Sequence, residues 1–596
     1  MVTPTGDSSP QESQTRLNME MIVELTDGSR SQSNISMGET SSDSNVDEGV
    51  IGRASATESA ANTSERFHGW LAPDAIVNPF DIIEVDHLEG SRTYGLVTEI
   101  SHTTDAPSHL ANLISFDFGD VHMEPQTPRQ GADVLEADVL ANSHPNDPSR
   151  SIYMPVRSGA PLRFADENGI QIALGIDRIE PEDRIPTGVV RMTNGTIAPV
   201  FLNRKFLLGP EGAHVNITGL SGLATKTSFA TVLLQSVLQR TDDVAVIMLN
   251  VKQNDLLVVD QPSGRLDDHD LALYEAMGID PRPFGNVRYL IPRGRNRRAH
   301  CYGDPPRNHR VYAYSLADVA GTPTLPGPGL LSLFSGIPDE AETLSGLCSL
   351  VDSDQRNGNG TFARVSTWTQ LIDGPPIFNN GEVGRIGNYR ADSVGRFRRL
   401  LSRAVQTRQS GIFVNNRDAN TSNLGEEIRS ISRGETIVVD IYNLTDEERS
   451  LVFGHVIIEV YRMYAEAAQD DPEMPRKVVI FVDELNKYAP ARSRGGAVLD
   501  YLLDIAARGR SMGVVLLGAE QFMSEVHTQV AATSTKVIGR SDPAELNDPA
   551  YRVVPQDLRQ HLVRLEKGEM IVSHPMFRKP IRVMVPRPAY RQIGHE

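Results

Sequence analysis

Cysteine is almost absent from this 596-residue sequence, which contains only Cys301 and Cys348. The two lie far apart and neither has the spacing of a metal ligand, so the sequence indicates neither a disulfide framework nor a structural zinc site. Long apolar runs are missing too: no stretch approaches the roughly 20 apolar residues that span a bilayer. The first residues, MVTPTGDSSPQESQ, lack the basic and apolar blocks of a signal peptide. We therefore expect a cytoplasmic protein.

Basic residues are also fewer than acidic ones, 58 against 77. The net charge of −19 argues against a protein that coats nucleic acid over its whole surface, although part of that charge is local. Residues 1–66 hold 11 acidic and 4 basic residues and are rich in Ser, Thr, Asn and Glu. Such a segment cannot bury enough apolar surface to offset the entropy of ordering, so we predict a disordered acidic tail. A polyanionic partner would have to meet a local basic surface, such as a pore or a groove.

The remaining sequence is ample for globular domains. With 39% hydrophobic residues, a chain of this length suggests about three to four domains. Residues 67–209 contain short β-rich runs separated by turn residues, and we predict an N-terminal β-barrel domain there. The runs are DIIEVDHL, TYGLVTEISH, HLANLISFDFG, SIYMPVRSG, IQIALGIDRI and APVFLNRKFLLG. A set of unrelated edge strands is the alternative.

An α/β pattern follows the predicted barrel. HVNITGL, SGLATKTS and FATVLLQSVLQR are typical of a strand, a glycine-bearing turn and a helix, and VAVIMLNV supplies the next buried strand. TIVVDIYNL is a further buried strand, and the helix after it has Thr445 as its predicted N-cap and Glu448 at the capping-box position. We predict an α/β core with a mainly parallel sheet over 210–254 and 435–596, interrupted by a mostly helical insertion over 255–434.

An acidic pair ends one of these strands. The run VVIFVDELNKYAP suits a strand buried on both faces, and Asp483 and Glu484 emerge where α/β sheets place their ligands. Carboxylates are costly to desolvate, so two together favour a cation or a proton transfer. We expect Asp483 to bind Mg²⁺ and Glu484 to act on an attacking water. A strand that merely stops in acidic residues is the alternative.

The glycine-bearing turn resembles a phosphate-binding loop with irregular spacing. Such a loop needs glycines, a Lys for the phosphate oxygens and a hydroxyl for Mg²⁺, in the order G-x-x-x-x-G-K-[ST]. If Lys226 and Thr227 are the Lys and the hydroxyl, Leu220 and Thr225 occupy the two glycine positions. A Thr there must avoid positive φ or accept a strained backbone. A turn that binds no nucleotide is the alternative. The candidate nucleotide-binding residues are Gly219, Ser221, Gly222, Leu223, Ala224, Thr225, Lys226, Thr227 and Ser228.

Two further sets of residues suit phosphate chemistry. A predicted helix ends in Arg508-Gly509-Arg510, and the strand after it ends in Glu520 and Gln521. A polar residue at that strand end could contact a terminal phosphate or its water, and an Arg near the helix end could reach the site of a neighbouring subunit. An Arg near a helix C-terminus also interacts favourably with the helix dipole, which is the simpler interpretation.

Five blocks in the last 160 residues together resemble the HerA-like branch of the HerA/FtsK ATPases, which are hexameric P-loop motors with RecA-type folds. The blocks are ETIVVDIYNLTDEERSLVFGHVI, VVIFVDELNKYAP, IAARGRSMGVVLLGAEQ, TKVIGRSDPAEL and LEKGEMIVS, and the resemblance extends from about Asn78 to Pro588. It implies an N-terminal β-barrel and a RecA-like core. It also implies ATP and Mg²⁺ as cofactors and a homo-oligomer, expected to be a hexamer, that moves double-stranded DNA through a central channel.

The same resemblance implies roles for single residues. Lys226 and Thr227 take the Walker A positions, and Asp483 and Glu484 take the Walker B positions. Gln521 takes a sensor position, while Arg510 and Arg540 match family arginines. Arg508 stands where many relatives have an acidic residue, so the choice of an arginine finger among the three stays open. Family members often act with a partner nuclease in end resection or in defence against foreign DNA, and the resemblance implies such a partner here.

For DNA contact the sequence offers two arginine-rich segments. These are PRGRNRRAH, with Arg293, Arg295, Arg297 and Arg298, and GRFRRLLSRAVQTR, with Arg396, Arg398, Arg399, Arg403 and Arg408. Either could bind phosphates without reading sequence, and either could be a solvated surface. The competing function is a nucleotide-binding scaffold that hydrolyses little ATP and assembles a partner nuclease or an NAD-consuming effector. An acyl hydrolase or metal-dependent hydrolase is not indicated, since the sequence has neither a G-x-S-x-G elbow nor an H-E-x-x-H helix.

Overall fold

The computed structural model describes residues 49–592, apart from 116–121, 123–129, 148, 221, 223–224, 322–326, 335–342, 407–409, 467–472 and 493–496. Its first part is a closed antiparallel barrel with the strand order β1-β2-β5-β4-β3-β6. The barrel strands are β1 (Val50–Ser55), β2 (Arg66–Leu71), β3 (Ile82–Asp86), β4 (Arg92–Thr104), β5 (Gly131–Ser143) and β6 (Pro161–Phe164). Buried apolar side chains fill it, among them Phe67, Ile83, Val97 and Leu135.

The rest of the described chain is built on one large mixed sheet. Its strands are β7 (Arg184–Arg191), β8 (Ile197–Asn203), β9 (Val215–Thr218), β10 (Val244–Asn250), β11 (Val287–Pro292), β12 (His309–Tyr312), β15 (Thr421–Ser422), β16 (Thr436–Asp440), β17 (Lys477–Asp483), β18 (Val514–Glu520), β19 (Thr535–Ile538), β20 (Glu569–Ser573) and β21 (Ile581–Met584). A separate two-stranded ribbon joins β13 (Phe378–Asn379) to β14 (Glu382–Val383).

The strand order is β15-β12-β11-β16-β10-β17-β18-β9-β19-β20-β21-β7-β8. All neighbouring pairs from β15 to β19 are parallel, and the pairs from β19 to β8 are antiparallel. In the parallel part, β18 lies between β9, which leads into the glycine-bearing turn, and β17, which ends in the acidic pair. The order β19-β9-β18-β17-β10 is that of a RecA-like core, and the predicted α/β fold with a mainly parallel sheet and an N-terminal barrel is confirmed.

Helices cover both faces of the sheet's parallel part and build the inserted region. They are α1 (His109–Ser115), α2 (Glu167–Ala173), α3 (Arg204–Leu207), α4 (Lys226–Arg240), α5 (Asp268–Met277), α6 (Leu316–Ala320), α7 (Leu330–Leu333), α8 (Thr343–Asn357), α9 (Trp368–Asp373), α10 (Ala391–Val405), α11 (Leu424–Arg429), α12 (Asp446–Glu466), α13 (Ala497–Met512), α14 (Thr528–Ala531) and α15 (Gln556–Arg559). Among the described residues, none of these helices has the length and apolar character needed to cross a membrane.

Helix α12 begins with the predicted capping box. The Thr445 hydroxyl accepts the N–H of Glu448 at 3.4 Å, and the Glu448 carboxylate accepts the N–H of Thr445 at 3.0 Å. Two donors that the helix start would leave unsatisfied are therefore paired. Cys348 is buried in the inserted region, Cys301 is half-buried, and neither forms a disulfide.

The predictions for the tail and the barrel domain are wrong in four respects. Strand β1 lies inside the predicted tail, where Ala54 is buried in the barrel; residues 1–48 lie outside the described residues. The run IQIALGIDRI starts in helix α2 rather than in a strand, because the Asp166 side chain caps that helix by accepting the N–H of Gly169. HLANLIS is helix α1.

The fourth correction concerns strands β7 and β8. They were predicted within the barrel domain but belong to the large sheet, which β7 joins through the pair Met584↔Val189.

The insertion is also less purely helical than predicted. Strands β11, β12 and β15 arise within 255–434, and all three extend the parallel sheet. Buried Tyr289, Leu290 and Ile291 show why, since VRYLIP is a short apolar run between helices. The segment therefore adds three strands to one side of the sheet as well as helices α5 to α11.

Candidate active site

The predicted site residues lie at one edge of the sheet. Strands β9, β10, β17 and β18 are parallel, so their carboxyl ends meet at the same edge, where α/β folds bind ligands. Helix α4 begins there with Lys226 and Thr227, and β17 ends there with Asp483. The N-terminus of a helix attracts anions, and the first turn of α4 carries no acidic residue.

Asp483 is the centre of this edge. Its Oδ2 atom lies 3.4 Å from the Thr227 hydroxyl and 2.7 Å from Nζ of Lys252. Its Oδ1 atom accepts the backbone N–H of Glu484 at 2.9 Å. The carboxylate is buried, and each of its oxygens has a partner.

This donor set fits a magnesium ion. Mg²⁺ prefers oxygen ligands, and a carboxylate next to a Thr hydroxyl at a helix start is the pair that holds it in P-loop proteins. Lys252 supports the fit, because its ammonium group places a positive charge at the Asp483 oxygen that faces Thr227. Thr227 and Asp483 are therefore the candidate ligands, as predicted.

Lys252 was missed by the sequence analysis. It follows strand β10 by two residues, at the carboxyl edge next to β17. A signal was present, since a charged residue after a predicted buried strand lies at the same edge as the acidic pair. Burial tends to lower the pKa of Lys252, but the combined attraction of Asp483, Glu484 and Asp255 outweighs burial and raises that pKa. The ion pair is thus between a charged ammonium and a carboxylate.

Lys226 is buried at the first position of α4. Its ammonium group donates to the carbonyl oxygen of Gly219, on the opposite side of the turn. Burial lowers the pKa of Lys226, although Asp483 opposes the change. The side chain therefore closes the turn on itself, and an anionic ligand would offer the ammonium group a better partner than a neutral carbonyl.

The turn itself is only partly described. Ser221, Leu223 and Ala224 lie outside the described residues. Gly222 has a φ of 78°, a conformation that favours glycine. Thr225 has a φ of −77° and a ψ of 41°, so it avoids positive φ at the position where the standard loop has glycine. Ser228 accepts a 3.4 Å hydrogen bond from the Gln592 side chain, which brings the end of the described chain to this helix.

Glu484 has a strained backbone. Its φ and ψ of 59° and 44° are left-handed, which is uncommon for a residue with a Cβ. The side chain is partly exposed and pairs with Lys487 at 2.5 Å. A partly exposed carboxylate next to the candidate metal ligand suits the predicted work on a water molecule.

Strand β18 ends in a second buried carboxyl group. Glu520 is 1% exposed and lies beside Asn216 and Lys226. Burial raises the pKa of Glu520 to about 8, against the opposing effects of Asn216 and Lys226. Gln521, the predicted sensor residue, comes directly after the strand and is exposed at the same edge. Glu520 is therefore buried in the protein, whereas the adjacent Gln521 side chain is exposed to solvent.

The three candidate finger arginines lie at opposite ends of the parallel strands: Arg508 and Arg510 near the amino ends, and Arg540 near the carboxyl ends, where the candidate site is. Arg508 and Arg510 lie at the end of α13, next to the start of β18, roughly 20 Å along the strand from the acidic pair. Arg508 is paired with Asp504, and Arg510 donates to the Glu211 carbonyl at 3.4 Å. Arg540 follows β19 at the site's own edge, where its carbonyl accepts the Leu220 N–H at 2.8 Å.

The candidate DNA-binding arginines also differ from one another. Arg398 is fixed by Asp373 at 2.7 Å and by the ring of Phe378, so it is a packing residue. Arg408 lies outside the described residues. On α10, three arginines are exposed, and their spacing places them on one face of the helix. This basic face is formed by Arg396, Arg399 and Arg403. In the loop after β11, the exposed arginines are Arg295, Arg297 and Arg298, while Arg293 is half-buried.

Comparisons with known proteins give distant structural similarities. No protein-family model matches the chain, and no curated protein matches its sequence. The bacterial conjugative coupling protein TrwBdeltaN70, in its unbound form, is 14% identical over 72% of this chain and 95% of its own, with a TM-score of 0.41. VirB4 of Thermoanaerobacter pseudethanolicus is 14% identical over 68% and 97%, with a TM-score of 0.41.

A smaller structure is also similar. The genome packaging NTPase B204 of Sulfolobus turreted icosahedral virus 2, in complex with ATP-gammaS, is 11% identical over 28% of this chain and 73% of its own, with a TM-score of 0.21. Because all three TM-scores are below 0.5, we draw no functional conclusion from them.

Proposed function

We propose that this chain is a Mg²⁺-dependent ATPase that works as a ring, with ATP bound between subunits, and moves along double-stranded DNA. One observation carries the proposal. Lys226 and Thr227 at a helix start face Asp483 at a neighbouring strand end, with the Thr227 hydroxyl 3.4 Å from the carboxylate. A lysine, a hydroxyl and a carboxylate in this arrangement are the parts from which phosphoryl-transfer sites are built.

Each residue has a role in this proposal. Lys226 exchanges the Gly219 carbonyl for phosphate oxygens and stabilises the charge that develops on them. Thr227 and Asp483 hold Mg²⁺, which supplies neutralisation of the phosphate charge when bound. Glu484 orients and polarises the attacking water, and Gln521 contacts the terminal phosphate.

The ring and the DNA rest on further observations. Arg510 lies at the edge of the sheet opposite its own site, so a role in hydrolysis requires a neighbouring subunit. The basic face of α10 concentrates positive charge on a chain whose net charge is −19. Such a face suits the sequence-independent binding of phosphates. The resemblance to HerA-like ATPases extends the proposal to a partner nuclease in DNA end processing or anti-phage defence.

The test is ATP hydrolysis by the purified protein with and without linear duplex DNA. Lys226→Ala controls for contaminating ATPases. We expect DNA to stimulate hydrolysis several-fold in the wild type and not in Lys226→Ala. Replacing Arg396, Arg399 and Arg403 together by Ser should remove the stimulation and keep the basal rate, because these side chains lie on an exposed helix face. Arg150→Ser, which breaks an exposed ion pair with Glu89, is the matched control.

A second candidate function is a scaffold that binds nucleotide and hydrolyses it slowly. Lys252 favours it, because its ammonium group pairs with Asp483 at 2.7 Å and would compete with a metal ion for that carboxylate. A scaffold would bind ATP and assemble, and its slow hydrolysis would not respond to DNA. The same assay therefore separates the two functions.

A further inference from the structure

The ion pair between Lys252 and Asp483 sets up an exchange at the candidate site. Nζ of Lys252 lies 2.7 Å from the Asp483 oxygen that also faces the Thr227 hydroxyl. A divalent cation held by Thr227 and Asp483 would need this same oxygen. The ammonium group and a divalent cation at this oxygen would repel each other, so binding of Mg²⁺ would favour movement of Lys252 away from Asp483.

The backbone that carries Lys252 is fixed, so a displaced ammonium group would stay near the site. Lys252 stands in a turn that the side chain of Asn250 ties together, through a 2.7 Å bond to the Gln253 carbonyl and a 3.2 Å bond from the Leu256 N–H. Asn250 itself is buried and also donates to Asp440 at 2.8 Å. The backbone of the turn is thereby fixed at the carboxyl edge, and the lysine head group stays within reach of whatever binds there.

A charged lysine in this half-buried position requires an anion. Lys226 stands next to Thr227, whose hydroxyl faces the same Asp483 oxygen as Nζ of Lys252, so both lysines lie at this edge of the site. Two converging cations next to a carboxylate are favourable only with more negative charge between them. A nucleotide with a terminal phosphate supplies that charge, and ADP supplies less of it.

We propose that Lys252 is a second phosphate-binding lysine, which holds Asp483 in the nucleotide-free protein and transfers to the terminal phosphate when a nucleoside triphosphate binds with Mg²⁺. This inference rests on the proposed function. It also accounts for the irregular loop, because a second cation compensates for a turn that departs from the standard spacing. Lys252 binds and positions the phosphate, and Glu484 keeps its role toward water.

The experiment compares the affinity of the full-length protein for ADP and for a non-hydrolysable ATP analogue, each with Mg²⁺, by fluorescence or calorimetric titration. For Lys252→Met we expect about a tenfold loss of affinity for the analogue, the effect of one charge-assisted contact, and less than a twofold loss for ADP. Lys205→Met is the matched control, because Lys205 forms an ion pair of the same 2.7 Å length with Asp183 away from the site.

Further variants keep the result interpretable. Lys252→Met leaves the buried Asp483 without its cation, so Lys252→Gln, which retains a donor, and Lys252→Arg, which retains the charge, are measured too. We expect Arg to keep most of the affinity for the ATP analogue and Gln to lose it. Equal losses for both nucleotides, or none, in Lys252→Met and Lys252→Gln would overturn the inference and leave the proposed function intact. Wild-type protein that binds neither nucleotide would overturn both.

Discussion

At the scale of single residues, Asp483 organises the candidate site through both of its oxygens. One accepts the backbone N–H of Glu484, and the other faces Thr227 and Lys252. Glu484 then takes a left-handed backbone, which costs about 1–2 kcal/mol for a residue with a Cβ. Strain of this kind is retained where surrounding contacts enforce it, and it concentrates at functional sites.

Glu520 gives a prediction about pH. Its pKa is about 4.5 without burial and about 8 in the folded protein. The folded protein therefore keeps a proton that the unfolded chain releases, so stability falls as pH rises from about 4.5 to about 8 and is fully present only below that window. Glu520→Gln stays neutral at every pH. We expect its melting temperature, measured without nucleotide and with EDTA, to fall less between pH 6 and pH 9 than that of the wild type, by about 2 °C or more.

The control for this measurement is Glu566→Gln, which changes an exposed carboxylate. It should follow the wild-type pH profile. Parallel profiles for wild type and Glu520→Gln would show that Glu520 is already ionised at pH 6 and would contradict the prediction.

The sequence identified most, but not all, of the residues at this edge. Lys226, Thr227 and Asp483 were predictable because each stands at the end of a strongly patterned strand or helix. The pairing of Lys252 with Asp483 was not predictable, because the two residues are 231 positions apart along the chain and the local pattern does not indicate which strands are neighbours. Whether Glu520 would be buried likewise depends on packing by β9 and α4 rather than on strand β18 itself.

At the scale of elements, the turn between β9 and α4 decides whether nucleotide binds. The sequence predicts strand, turn and helix here, and β9 and α4 confirm the two flanking elements. The departure from the standard spacing is accommodated without positive φ at Thr225, whose φ is −77°. Gly222, at 78°, is the position that needs glycine.

Two substitutions test this account of the turn. Gly222→Ala should weaken ATP binding roughly tenfold, because left-handed backbone costs about 1–2 kcal/mol with a Cβ. Thr225→Gly, which restores the standard residue, should change the affinity by less than about twofold, since Thr225 does not use positive φ. Equilibrium titration with ATP and Mg²⁺ measures both.

Gly434→Ala is the matched control for Gly222→Ala. Gly434 has a φ of 70° and open space where a Cβ would stand, but it lies in the turn before β16. It should lower stability and leave ATP affinity unchanged. A tenfold gain of affinity in Thr225→Gly would contradict the account, because it would show that the Thr distorts the loop.

Elements outside the core were harder to predict. The run VIGRAS has little apolar character, and it forms β1 because β2 and β6 pair with it on both sides. IQIALGIDRI alternates like a strand, yet the Asp166 cap and the burial of Ile170 and Ala173 make its start a helix. In both places tertiary pairing or a cap outweighed local propensity.

At the scale of the whole molecule, Arg510 could take part in hydrolysis only from a neighbouring subunit. The end of α13 and the acidic pair lie at opposite edges of one sheet, so a single subunit cannot bring them together. Arg540 lies at the site's own edge instead and could act within a subunit. The two arginines therefore make different predictions for mixed assemblies.

Mixing inactive variants tests this difference. Lys226→Ala keeps the arginines and lacks a working site, while Arg510→Ala keeps the site. If Arg510 acts across the interface, a mixture of the two should hydrolyse ATP faster than the sum of the separate proteins. A mixture of Lys226→Ala with Arg540→Ala should show no such gain if Arg540 acts within its own subunit. Absence of complementation by Arg510→Ala would remove that residue as the finger.

The central claim is that Lys226, Thr227, Asp483 and Glu484 form one ATP-hydrolysing site. The most direct test measures ATP binding and single-turnover hydrolysis side by side for wild type, Lys226→Ala and Glu484→Gln. We predict that Lys226→Ala loses binding, and that Glu484→Gln binds ATP like the wild type while its hydrolysis rate falls about 100-fold or more, as expected for loss of a general base. Wild-type turnover in Glu484→Gln, or wild-type affinity in Lys226→Ala, would contradict the claim.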